Sequence, residues 1–222
     1  MAKVKKDIIF YIFMMIGFIT ISYGNQVPTK EGYRLTKEIY KNSTEIEIAT
    51  HAYDTNGYEI KTVVGVDLNG DLALSAKEIK HMTRYTYDKN GKKLSESWFK
   101  SNGLIDSITT YKYDTNGNMI SKSYDSDADK KANDIETYTY DENGNKLSYR
   151  HDFDADGAVD MVYSYTYDSK GNELSVSIGN IDGSVNMVTF YTYDGNVRIG
   201  KEDQNGDGVA DSTQTWIYDD NG

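Results

Sequence analysis

The stretch DFDADGAVD, Asp152 to Asp160, sets carboxylates at its first, third, fifth and ninth positions: Asp152, Asp154, Asp156 and Asp160. Gly157 stands sixth. In an extended strand, alternate side chains share a face without converging. A glycine at the sixth position permits a sharp bend, and a bent loop can aim its alternate side chains at one point. Hard oxygens gathered in this way suit calcium, which takes about six to eight of them at about 2.4 Å. Magnesium demands a stricter octahedron and keeps its waters, so calcium is the expected ion.

The same spacing recurs. DQNGDGVAD supplies Asp203, Asn205, Asp207 and Asp211 around Gly208. DSDADKKAND supplies Asp125, Asp127 and Asp129, with Asn133 ninth and Asp134 beside it, but has no glycine at position six. IGNIDGSVN keeps Asn180, Asp182 and Asn186 with Ile178 in first place, which predicts a weak site. WFKSNGLID has Lys100 at a ligand position and predicts no site. A fifth loop, DLNGDLALSAKE, offers Asp67, Asn69, Asp71, Ser75 and Glu78 at positions 1, 3, 5, 9 and 12. It resembles an EF-hand loop, except that Leu72 replaces the glycine and the preceding EIKTVVGV reads as strand. Ser75 and Glu78 also form a capping-box pattern, which predicts a short helix near 75–83.

The loops sit between elements that repeat. Tyr-Asp pairs occur at Tyr53, Tyr87, Tyr113, Tyr140, Tyr167, Tyr193 and Tyr218, spaced 34, 26, 27, 27, 26 and 25 residues apart. Such a period is the mark of a repeat protein. Within a unit, Tyr138 and Tyr140 share one strand face, and Asn143-Gly144 reverses the chain, since both residues tolerate positive φ. The return strand puts Leu147, Tyr149 and His151 on one face and Ser148 on the other. An antiparallel sheet with one apolar-aromatic face and one hydroxylic face follows. The expected fold is all-β: a repetitive antiparallel β-hairpin array, as meander or spiral, with the one short helix.

The D-x-D-x-D-G-x-x-D loops resemble the calcium loops of thrombospondin type 3 repeats and dockerins. The Y-x-Y-D-x-x-G-x-x-x-S half is similar to the YD (RHS-type) repeats of bacterial secreted and surface proteins. The first resemblance implies calcium ligation at the matching residues. The second implies a β-hairpin array. Together they cover nearly all of residues 31–222.

Composition narrows the function classes. Lys3, Lys5 and Lys6 precede a 14-residue apolar run, Ile8 to Ile21, and small residues at Ser22 and Gly24. That pattern predicts a signal peptide over 1–24, the repeats over 25–222, and a secreted or cell-surface protein. The repeats stop at Gly222 within a turn signal, which predicts a piece of a longer chain. The chain has 24 basic and 35 acidic residues; without Lys3, Lys5, Lys6 and Asp7, 21 and 34 remain, a net of −13. Nucleic acid and membrane surfaces are poor partners for such charge. Fourteen acids stand in the four better loops, so the excess acid is clustered. With no cysteine, an exported chain needs another staple, and bound metal is one.

No H-E-x-x-H, G-x-S-x-G, phosphate loop or dinucleotide fingerprint is present. The histidines, His51, His81 and His151, stand in different repeat contexts, His151 reads as a sheet-face side chain, and the expectation is no enzyme. The Tyr ladder reads as packing between repeats. The expected function is an exported calcium-binding repeat protein with a structural or adhesive role and a surface glycan or protein as partner. The alternatives are a fragment of a YD-repeat shell enclosing a toxin, and a glycan-binding module using its Tyr face.

Overall fold

The computed structural model describes residues 19–23, 34–41, 45–182 and 184–218. The expected leader and its cleavage point lie outside these residues, apart from 19–23. Fifteen strands follow one another: β1 Ile19–Tyr23, β2 Arg34–Lys41, β3 Ile46–Tyr53, β4 Glu59–Val66, β5 Ile79–Tyr87, β6 Lys93–Lys100, β7 Ile105–Tyr113, β8 Met119–Asp125, β9 Asp134–Tyr140, β10 Lys146–Asp152, β11 Met161–Tyr167, β12 Glu173–Gly179, β13 Val185–Asp194, β14 Val197–Asp203 and β15 Ser212–Ile217. Each neighbours the next in one antiparallel sheet, so the array is a meander. Contacts divide the chain into two compact units, residues 1–110 with 126–129, and residues 111–125 with 130–222.

In both units hairpin turns are built on the Asp of the Tyr-Asp pair, except the β13–β14 turn, where Asp194 pairs with Val197 across Gly195-Asn196. Asp141 N–H donates to Asn145 O at 2.9 Å, and Gly144 N–H to Asp141 O at 3.1 Å. The Asp141 carboxylate also accepts the N–H groups of Asn143 and Asn145, at 2.9 and 2.8 Å. Asp54, Asp88 and Asp168 repeat these bonds. Only the glycine takes positive φ, 85° at Gly144; the Asn before it does not. The turn is therefore a three-residue loop with a left-handed glycine and a bulge, rather than the two-residue Asn-Gly turn. The bulge falls on the third residue after the glycine: Ile60, Leu94, Leu147 and Leu174 lie at the register shifts. Leu94, Leu147 and Leu174 consequently stay exposed.

In unit 1, Ile39 and Ile48 face each other across β2 and β3, and with Ala49 they are the only apolar residues buried among those described. Tyr87 O–H donates to Glu59 O at 2.8 Å. The helix expected from Ser75 does not form. Glu78 N–H bonds Ser75 O at 3.0 Å for a single turn, and Ile79 already begins β5. Two turns of helix are marginal on their own, whereas β5 gains bonds to both β4 and β6. Gly65 lets the Glu78 carbonyl close on the sheet; a Cβ there would stand 2.2 Å from that oxygen.

In unit 2 the second Tyr of three successive repeats reaches back one repeat. Tyr140, Tyr167 and Tyr193 donate to Met119 O, Lys146 O and Glu173 O at 2.8–2.9 Å. On the opposite face Thr139 and Ser148, and Thr166 and Ser175, exchange hydroxyl bonds at 2.7 Å. The aromatic face carries the ring series Tyr138, Tyr149 and Tyr163 at 5.3 and 5.5 Å. One hydroxylic and one aromatic face are thus observed, as the alternation requires.

Candidate metal centres

Each acidic loop leaves the end of a return strand, and its first Asp is the last residue of that strand or follows it directly. Asp67, Asp125, Asp152 and Asp203 are 8, 8, 7 and 4 % exposed, in a chain with three buried apolar residues among those described. Burying a carboxylate is costly unless it is bonded or charge-compensated. Part of the compensation is shared by all four loops. The N–H of position six donates to the first carboxylate: Leu72 to Asp67 at 2.9 Å, Lys130 to Asp125 at 2.9 Å, Gly157 to Asp152 at 3.0 Å and Gly208 to Asp203 at 2.7 Å.

That bond requires a common backbone. Position six has φ of 59° at Leu72, 75° at Lys130, 95° at Gly157 and 87° at Gly208. Position four is also left-handed, at Gly70, Ala128, Ala155 and Gly206. Leu72, Ala128, Lys130 and Ala155 are the only non-glycine residues with positive φ among those described. Each such residue costs on the order of 1 kcal/mol or more. Strain in the chain is therefore concentrated in the acidic loops.

The loops close in two ways. In the Asp152 loop, Asp160 Oδ2 accepts the Phe153 N–H at 2.7 Å; in the Asp203 loop, Asp211 Oδ2 accepts the Gln204 N–H at 2.8 Å. In the Asp67 loop the same second-position N–H, of Leu68, goes to Glu78 Oε1 at 2.9 Å. Glu78 also accepts the Ser75 N–H and Oγ–H at 2.7 and 2.6 Å, bonds that hold its carboxyl below the usual range. The twelfth-position glutamate thus stands in for the ninth-position aspartate. Burial pushes the Asp203 carboxyl up, but N–H groups of Gly208, Gly206, Asn205 and Asp207 outweigh it and hold the group low.

Asp152, Asp154 and Asp156 bring one carboxylate oxygen each to within 4.8 Å of one another. Asp152 Oδ1 is buried and has no hydrogen-bond partner. Asn69 and Asp71, and Asn205 and Asp207, occupy the corresponding exposed positions, with Asp71 N–H and Asp207 N–H each 2.9 Å from the Asn Oδ1. Asp125, Asp127 and Asp129 likewise bring one carboxylate oxygen each to within 4.8 Å of one another, Asp127 and Asp129 being exposed. Asn133 N–H bonds Tyr124 O at 2.7 Å, matching Asp160 N–H on His151 O and Asp211 N–H on Glu202 O. Asp134 instead opens β9, and its carboxylate lies 2.7 Å from His151 Nε2, on the sheet face.

The weak loop has a different form. Asn180 N–H bonds Ser184 O at 2.9 Å, the closure that Lys100 and Leu104 make in the loop without ligands. Asp182 accepts the Ser184 N–H and Oγ–H, which hold its carboxyl low, and Asn186 lies exposed within β13. Lys100 pairs with Asp106 at 3.0 Å.

Spacing alone did not reveal the group formed by Asp134, Glu136 and His151, whose ligand atoms lie within 4.8 Å of one another. The signal available was the alternation that puts Asp134 and Glu136 on one face of a strand facing the next.

These features define a class: an antiparallel hairpin-repeat protein with acidic loops between hairpins. No protein-family profile and no curated protein matches the chain. Solved structures are similar at low identity. A structure described as TcdB2-TccC3-Cdc42 aligns with 90 % of this chain at 17 % identity and a TM-score of 0.42. A second, TcdB2-TccC3, aligns with 85 % at 15 % identity and 0.37. This chain spans 12 and 15 % of the length of those chains. A porin-like protein from Bacteroides uniformis aligns over 85 % of this chain and 96 % of its own length, at 14 % identity and 0.37.

Proposed function

We propose that the chain is a structural segment, a YD-type β-sheet scaffold that works at the cell surface or outside the cell and is stiffened by calcium in the loops between its hairpins. The observation that carries this reading is Asp152: a buried carboxylate with one oxygen held by Gly157 N–H and the other unpaired, beside Asp154 and Asp156. A calcium ion would supply the missing partner. Extracellular sites of this kind bind at about 0.1–1 mM, so they would fill outside a cell and stay empty in the cytosol. The reading needs no catalytic step. Calorimetry in calcium-free buffer tests it: titration should show several ions per chain and a higher melting temperature. No heat of binding and coincident melting curves would reject it.

A second reading is a wall segment of a YD-repeat shell that encloses a toxin. It is favoured by how little apolar surface is buried: three residues among those described, with Leu94, Leu147 and Leu174 each 39–40 % exposed. A wall whose apolar surface faces contents or further wall would have this character. Electron microscopy of the full gene product decides it, because a shell is a hollow particle and a surface scaffold is not.

A further inference from the structure

The geometry points to a second kind of metal site in this chain: a zinc-type transition-metal centre formed by Asp134, Glu136 and His151 on the aromatic face of β9 and β10. Asp134 and Glu136 are two apart on β9 and so share a face. His151 is the register partner of Glu136 on β10. One ligand atom from each lies within 4.8 Å of the other two, and none of the three residues is exposed. His151 Nε2 already points at Asp134 Oδ2, 2.7 Å away, while Nδ1 lies 3.0 Å from the Tyr149 hydroxyl. Holding the distal ring nitrogen in this way orients a metal-bound histidine.

The donor set separates this site from the loops. Calcium is held by oxygen ligands, whereas imidazole suits zinc and its neighbours. Three protein ligands leave a fourth position for water, the arrangement of an open zinc site. Glu136 is kept anionic. Burial pushes its carboxyl up, but Lys122, at 2.8 Å, and the Tyr138 hydroxyl outweigh that and hold it low. The Lys122 side chain is 38 % exposed and can turn to solvent when an ion takes its place. The site does not depend on the calcium reading, since Asp134 faces His151.

The probe is zinc itself, titrated calorimetrically into the full chain in chelator-treated buffer containing millimolar calcium. The wild-type chain should take one zinc per chain. His151→Gln and Glu136→Gln should each lose it, and Tyr149→Phe should bind about tenfold more weakly. Cobalt substitution should give visible ligand-field bands in the wild type and none in His151→Gln. Far-UV circular dichroism confirms that each variant is folded; should His151→Gln unfold, His151→Asn carries the same comparison. Zinc stoichiometry unchanged in the histidine variants, or zinc displaced by excess calcium, would overturn the proposal.

Discussion

Asp141 stands in the turn that leads into strand β10 and Asp152 ends that strand, and both hold a chain reversal. At the turn end, Asp141 is saturated: Oδ1 accepts two backbone N–H groups and Oδ2 accepts Asn145 Nδ2 at 2.8 Å. At the loop end, Asp152 is more buried yet has an oxygen with no partner. The turn is complete as protein alone. The loop carries left-handed Ala155, a buried charge and an acceptor without a hydrogen-bond partner, each of which costs stability. The same residue type thus has both carboxylate oxygens bonded in the turn and only one bonded in the loop.

The largest test of this contrast is calcium itself. Filling one site to tenfold its dissociation constant adds about 1.4 kcal/mol, and four sites would add on the order of 5 kcal/mol. Thermal melts with calcium and with chelator should differ accordingly. Asp156→Ala should remove one ion from the calorimetric stoichiometry, while Asp141→Ala should destabilise the chain equally with and without calcium. If both variants lose the same calcium response, the two ends are not different in kind. Asp152→Asn sharpens the point. It should be at least as stable as wild type in chelator, because it deletes a buried charge, and less stable in calcium.

A smaller effect concerns strain. Lys130→Gly relieves a left-handed lysine and should add about 1 kcal/mol without calcium. It should also bring the Asp125 loop toward the affinity of the Asp152 loop, which otherwise exceeds it; calcium titration of the two chains measures both. The smallest expected effect is the pH response of the turns. Asn145 and Asn172 bonds lead in holding the Asp141 and Asp168 carboxyls below their ordinary 3.8, and N–H bonds at Asp114 overcome its burial to the same end. A lowered carboxyl contributes stability above the unfolded value, lost as pH falls through the folded one. In chelator, stability should therefore hold above about pH 4 and decline below it, and Asp141→Asn should flatten that decline.

The period and the two-residue alternation made the strand array readable, because a repeated local pattern needs no long-range information. The form of the turn was not readable. Asn143-Gly144 fits either a two-residue or a three-residue loop, and the choice lies in a carboxylate that takes two backbone N–H groups. The helix at Ser75 failed for a related reason: Glu78 makes the predicted bond to Ser75, but its neighbours pair with two strands. For the loops, spacing named the carboxylates that cluster at Asp152, Asp154 and Asp156 and at Asp125, Asp127 and Asp129. It could not show that Asp134 leaves its loop for His151, since cross-strand register depends on where each bulge falls. Nor could it show that position four, occupied by Ala128 and Ala155, takes a conformation that glycine would favour.

The phenols of Tyr140, Tyr167 and Tyr193 each bond a carbonyl in the preceding hairpin, 21, 21 and 20 residues back. Each of these repeats therefore carries one donor facing backward and one acceptor facing forward. A gene duplication that copies a whole repeat copies half of two bonds, and both halves find partners. A deletion of a whole repeat rejoins them in the same way. Length can thus drift in evolution by entire units without leaving a joint unmade, whereas an insertion of a few residues within a unit would break one.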